Sequence, residues 1–151
     1  MIIIIRGLLA LSLAAALGGC AVCRCVPPAR APRGEAEASP LIASLSVQPA
    51  ADSVRLTLQV TNAGTTPVTL SFSSGQSYDF AVRGGGTTLW TWSADRSFLQ
   101  ALRSETLAAG ETRTWSESWT PPRGTTGPLT AVATLASTSH PVERSTEFRL
   151  P

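Results

Sequence analysis

The sequence contains no lysine, and all twelve of its basic residues are arginine. Histidine occurs once, as His140, directly before Pro141 in a predicted turn, where it reads as a solvated turn residue. With no Gly-x-Ser-x-Gly elbow beside it, nothing marks a serine hydrolase. The carboxylates are scattered singly, so no acid–base couple stands out. Gly84–Gly86 is followed by neither a lysine nor a helix, which excludes a phosphate loop. From Leu41 onward there is no cysteine, so a domain there stands on packing alone and offers no metal-ligand cluster. The formal net charge is only +2, which gives no reason to expect a nucleic-acid partner. No stretch reads as a long amphipathic helix. These absences argue for a protein that is not an enzyme and uses neither cofactor nor metal.

What is present begins with a processing signal. Met1–Ile5 is apolar, Arg6 adds a positive charge, and Gly7–Leu17 is apolar apart from Ser12. This is the pattern of a secretory signal peptide, and it is short for a bilayer span of ~20 residues. Leu17-Gly18-Gly19-Cys20 resembles a bacterial lipobox. That tetrad predicts a signal over 1–19 and a diacylglyceryl group on the Cys20 thiol. Such a protein is exported and held by lipid at the cell membrane or the outer membrane. Cys23 and Cys25 complete a C-x-x-C-x-C run, but no nearby histidine makes a metal set. They read as tether thiols free to pair in an oxidising compartment. The Pro-, Ala- and Arg-rich stretch to Pro40 has linker composition, so 20–40 reads as a lipidated flexible tether and 41–151 as the folded domain.

The domain alternates at a period of two. Val54, Leu56, Leu58 and Val60 share one face of the clearest strand, and Val68, Leu70 and Phe72 repeat the pattern. Tyr78, Phe80 and Val82 follow, and then the three glycines supply a hairpin turn. Trp90 and Trp92 share a face in the next run, and at least one is expected in the core. Ala94–Ser104 reads as a short helical turn or a buried loop, with Phe98, Leu99, Ala101 and Leu102 facing inward. In Thr112–Thr120, Trp115, Glu117 and Trp119 fall on one face. A glutamate between two tryptophans leaves two options. Either the strand is bulged, or the face is exposed and Trp115 and Trp119 form a surface patch. Further strands at Leu41–Val47, Leu129–Leu135 and Thr146–Leu150 bring the total to about seven or eight. The fold class is all-β, an antiparallel two-sheet sandwich.

Several runs, in order and spacing, resemble the BsuPI-type intracellular proteinase inhibitor family. They are Val60-x-Asn62, Val68-x-Leu70-x-Phe72, Ser74-Gly75-Gln76-x-Tyr78-Asp79-Phe80-x-Val82, Leu89-Trp90-x-Trp92-Ser93, Phe98-x-Gln100-Ala101 and Leu107-x-x-Gly110-Glu111, closing at Trp119. The resemblance spans about Leu56 to Trp119. It implies an immunoglobulin-like sandwich and a founding member that inhibits a subtilisin-type serine proteinase inside the cell. An export signal departs from that setting. Asn62, Gly75, Gln76, Tyr78, Asp79, Phe80, Trp90, Trp92 and Ser93 are expected to be structural rather than contact residues.

Two functions follow as expectations. One is a membrane-anchored inhibitor of a serine proteinase, acting through Gly84–Thr88, Ala94–Ser97 or Pro121–Gly127. The other is a non-inhibitory envelope module that binds another envelope protein, or a glycan through Trp115 and Trp119.

Overall fold

The computed structural model describes residues 39–151. The expected signal over 1–19, the lipid-bearing Cys20, and Cys23 and Cys25 lie outside the described residues, as does most of the expected tether. Within 39–151 the structure is nine β-strands joined by turns and loops. In chain order they are β1 (Leu41–Pro49), β2 (Val54–Asn62), β3 (Val68–Phe72), β4 (Tyr78–Gly84), β5 (Thr87–Thr91), β6 (Arg103–Leu107), β7 (Thr112–Trp119), β8 (Leu129–Leu135) and β9 (Val142–Phe148). Every pairing is antiparallel, giving sheets ordered β1-β2-β7 and β5-β4-β8-β9 and a two-stranded ladder β3-β6. This is the antiparallel sandwich the alternation predicts, of the immunoglobulin-like kind the family resemblance implies.

Alternation decides which side of each strand is dry. Val54, Leu56, Leu58 and Val60 are all fully buried, while Arg55 and Gln59 between them face solvent. Phe80 and Val82 of β4, Leu129, Ala131, Ala133 and Leu135 of β8, and Val68, Leu70 and Phe72 of β3 join them in one core. At roughly 25 cal/mol per Å² of apolar surface, each such side chain contributes about 1.5–3 kcal/mol as an upper bound. Small alanines on β8 sit directly across from β4, where Phe80 pairs with Ala133 and Val82 with Ala131. Large residues thus face small ones in the register.

The β4–β5 hairpin shows why glycine occurs three times in succession. Gly85 and Gly86 have φ of 56° and 80°, the left-handed pair a two-residue hairpin needs. Gly84 serves a different purpose. A Cβ there would lie 2.7 Å from Cδ2 of the buried Leu129.

Two sequence expectations are corrected here. Ala94–Ser104 is neither a helical turn nor a buried loop. After the half-buried Trp92 and Ser93, residues 94–102 form a largely exposed connection, with Leu99 and Leu102 78% and 88% accessible, and the chain then enters β6, a strand the pattern did not reveal. Of β6 only Leu107 is buried, so it carries no apolar alternation to read. The Trp115–Glu117–Trp119 face is also not a surface patch. Trp119 is 3% exposed, Trp115 packs half-buried against the core, and β7 pairs with β2 in unbroken register from Thr112 to Trp119.

Candidate functional site

The motif residues hold two connections, one at each end of the short β3–β6 ladder. Asn62 closes β2 and is fully buried. Its Nδ2 donates to the carbonyls of Thr66 (2.8 Å), Leu107 (3.0 Å) and Ala108 (3.1 Å), and its Oδ1 accepts from Gly64 N–H at 3.0 Å. One side chain therefore locks the β2–β3 turn to the β6–β7 turn. Gly110 N–H returns a bond to Asn62 O at 2.8 Å. Within that second turn the Glu111 carboxylate accepts from Ala108 N–H and pairs with Arg113, and these hold its pKa below the ordinary value.

The remaining motif residues frame the connection from β5 to β6. Trp92 N–H donates to Phe80 O at 2.8 Å. Asp79 then fixes the next residue, accepting from Ser93 N–H at 3.1 Å, from Ser93 Oγ, and from Phe80 N–H at 2.8 Å. Arg96 lies over the Trp92 ring, 4.2 Å from its centroid, and donates to Trp92 O at 3.2 Å. Phe98 packs 5.7 Å from the same ring. Gly75 N–H donates to Leu99 O at 2.8 Å, tying the far side of the loop to the β3–β4 turn. Gln76 stiffens that turn by donating to Tyr78 O at 3.1 Å. Trp90 packs partly buried beside Trp92 against the core.

Arg103, at the start of β6, completes the frame, and nothing in the sequence pattern singled it out. Its guanidinium sits 4.1 Å from the Phe72 ring centroid. It donates to Ser74 O at 3.0 Å and Ser77 Oγ at 2.6 Å and pairs with Glu105. An arginine in that position cross-braces the β3–β4 turn and the loop.

Behind the loop, Tyr78 stacks on Trp92 with centroids 4.5 Å apart and lies 5.7 Å from Trp115. Its hydroxyl donates to Glu117 Oε1 at 2.6 Å. That bond explains the glutamate between two tryptophans: a polar group on the inner face is acceptable when it is hydrogen-bonded. Desolvation first, then the bond to Glu117 and its negative charge, push the Tyr78 pKa up to about 12.

The other two candidate loops are built differently. Gly84–Thr88 is a tight hairpin whose tip is two glycines with no side chain to present. In Pro121–Gly127, Thr125 folds back on Pro122 O through its N–H (3.2 Å) and Oγ1 (2.7 Å), and among the described residues no side-chain hydrogen bond braces this local turn to the core. Ala94–Ser97 is part of the braced loop. His140 is in a turn, with Nδ1 3.1 Å from Ser139 Oγ. Among the described residues no group of side chains has the makings of a metal site.

Residues 41–140 match the model of the BsuPI family, described as intracellular proteinase inhibitor. The chain belongs to the BsuPI family. The match takes in all of β1 to β8 and every motif residue of the two braced connections. No curated protein matches. Solved structures similar in chain trace include a sporulation control protein from Bacillus subtilis (12% identity, TM-score 0.46, covering 75% of this chain and 49% of that one). Others are a β-glucosidase from Erythrobacter marinus (14%, 0.42, 74% and 15%) and a CARDB domain from Pyrococcus furiosus (16%, 0.41, 74% and 94%). The chain thus spans about half the length of the first of these and a small part of the second.

Proposed function

We propose that this BsuPI-family protein is an exported, lipid-anchored inhibitor of a serine proteinase, subtilisin-type enzymes included, and that it presents the β5–β6 loop to the enzyme. The observation that carries this reading is what the family's motif residues do. Gly75 and Asp79 bond Leu99 and Ser93 of this connection, and Trp92 seats its start on Phe80 and Tyr78 of β4. A binding loop that is already ordered loses little entropy when it docks, which favours tight association. The lipobox at Leu17–Cys20 supports the anchor, and the linker composition up to Pro40 supports a domain held away from the bilayer.

The test is a titration of the full chain against a panel of secreted serine proteinases, with the chain followed by mass spectrometry. Stoichiometric loss of activity with the chain left whole is the expected result. Steady digestion, or no loss of activity against any member, would overturn the reading and leave a non-inhibitory envelope protein-binding module. A glycan platform on Trp115 and Trp119 is not part of the proposal, because Trp119 is in the core.

A further inference from the structure

We infer that Leu102 is the residue this loop inserts into the proteinase, and that the enzyme it fits has a specificity pocket for a large aliphatic side chain. The inference rests on the inhibitor reading and narrows it to one side chain and one pocket chemistry.

Two leucines project from the braced connection, Leu99 at 78% exposure and Leu102 at 88%. Among the described residues four large hydrophobics are exposed, Ile42, Leu89, Leu99 and Leu102, and the two most open of them share this loop. Backbone bonding separates them. A proteinase grips the residue before the scissile bond by its side chain and also by its carbonyl, which must reach the oxyanion donors. The Leu99 carbonyl is already occupied, accepting from Gly75 N–H at 2.8 Å and Ala101 N–H at 3.0 Å. Leu99 is therefore a post of the loop frame. Leu102 lies one residue before the ladder that begins with Arg103 opposite Phe72, and among the described residues no turn or side-chain hydrogen bond engages its carbonyl.

The next residue supplies the second argument. Arg103 is fastened to the domain by Ser74 O, Ser77 Oγ, Glu105 and the Phe72 ring. Hydrolysis of the Leu102–Arg103 bond would add water and leave a carboxylate on Leu102 and an amine on Arg103. The Arg103 anchors keep that amine in place, so the reverse condensation, which returns the water, competes with separation of the ends. An open apolar residue followed by a tethered one is a loop that is bound well and cut poorly.

The experiment compares the full chain with Leu102→Asp, Leu102→Lys and Leu99→Asp against one apolar-specific and one basic-specific serine proteinase. Thermal unfolding is recorded for each variant, and no shift is expected at a side chain so exposed. The expected result is a Ki against the apolar-specific enzyme raised roughly 100-fold by Leu102→Asp, the size of a hot-spot loss. Leu99→Asp should raise it far less, and Leu102→Lys should gain inhibition of the basic-specific enzyme. If the unaltered chain inhibits but Leu102→Asp leaves Ki within two-fold, the assignment of Leu102 is overturned and the inhibitor reading stands. If the unaltered chain spares the apolar-specific enzyme, the assignment of Leu102 is overturned, and the inhibitor reading falls with it only if every member of the wider panel is spared as well.

Discussion

Tyr78 is the chain's sole tyrosine, so its hydroxyl can be titrated without interference. Partial burial and the negative Glu117 both disfavour the phenolate, and the folded pKa rises from the ordinary 10.0 to about 12. A raised pKa stabilises the fold below the unfolded value, and the contribution is lost as pH climbs through the folded one. The window here runs from pH 10 to about 12. Ultraviolet titration of the phenolate should give a midpoint near the upper end. Glu117→Gln should lower that midpoint while leaving it above the ordinary value, because desolvation, the larger cause, survives the change. A midpoint unaffected by Glu117→Gln would show that the Tyr78–Glu117 bond does not form in solution. The same pair corrects the reading of β7. Its alternation was legible, but the side on which water lay was not, since the hydroxyl that makes Glu117 acceptable indoors comes from 39 residues away.

At the scale of elements, the short β3–β6 ladder depends on joints to its longer neighbours. The β3-β6 pair is five residues a strand and belongs to neither larger sheet. Asn62 ties it to the end of β2 through the carbonyls of Thr66 and Leu107. Ser71 ties it to the β8–β9 turn, accepting from Thr138 N–H at 2.7 Å. Asn62→Ala would take a partner from the buried Leu107 carbonyl and from the half-buried Thr66 and Ala108 carbonyls and Gly64 N–H. The expected loss is roughly 2–3 kcal/mol, read from denaturant melts. A loss under about 0.5 kcal/mol would mean that water replaces the side chain freely and that the joint is not structural. The turn chemistry at Asn62 could be seen in the sequence, but its partners on β6 could not. The β6 strand left no mark of its own because it sits outside both main sheets and buries one apolar side chain.

At the scale of the whole molecule, the family's description as intracellular and the signal-like start of this chain pull in different directions. The proposed lipid on Cys20 resolves them by moving the same sandwich to a membrane surface. Growth with labelled palmitate should mark the protein, and Cys20→Ser should abolish the label and release the chain from the membrane fraction. A membrane-bound, unlabelled protein would instead indicate an uncleaved anchor, and a soluble one in both forms would remove the anchor altogether. The inhibitor reading is independent of that result, because the braced loop lies wholly within the region matched by the family.

The sequence by itself determined the fold class, most strand positions and the family. Each of these rests on local signals: a period of two, turn residues at fixed offsets, and motif runs in order. The folded structure decided which loop is held and what it shows. Gly75 meets Leu99, Asp79 meets Ser93, and Arg103 meets Ser74 and Ser77 only after the β3–β4 turn and the β5–β6 connection are brought side by side. In the sequence Leu99 and Leu102 look like core residues, because hydrophobicity alone does not record on which side of the chain water will be.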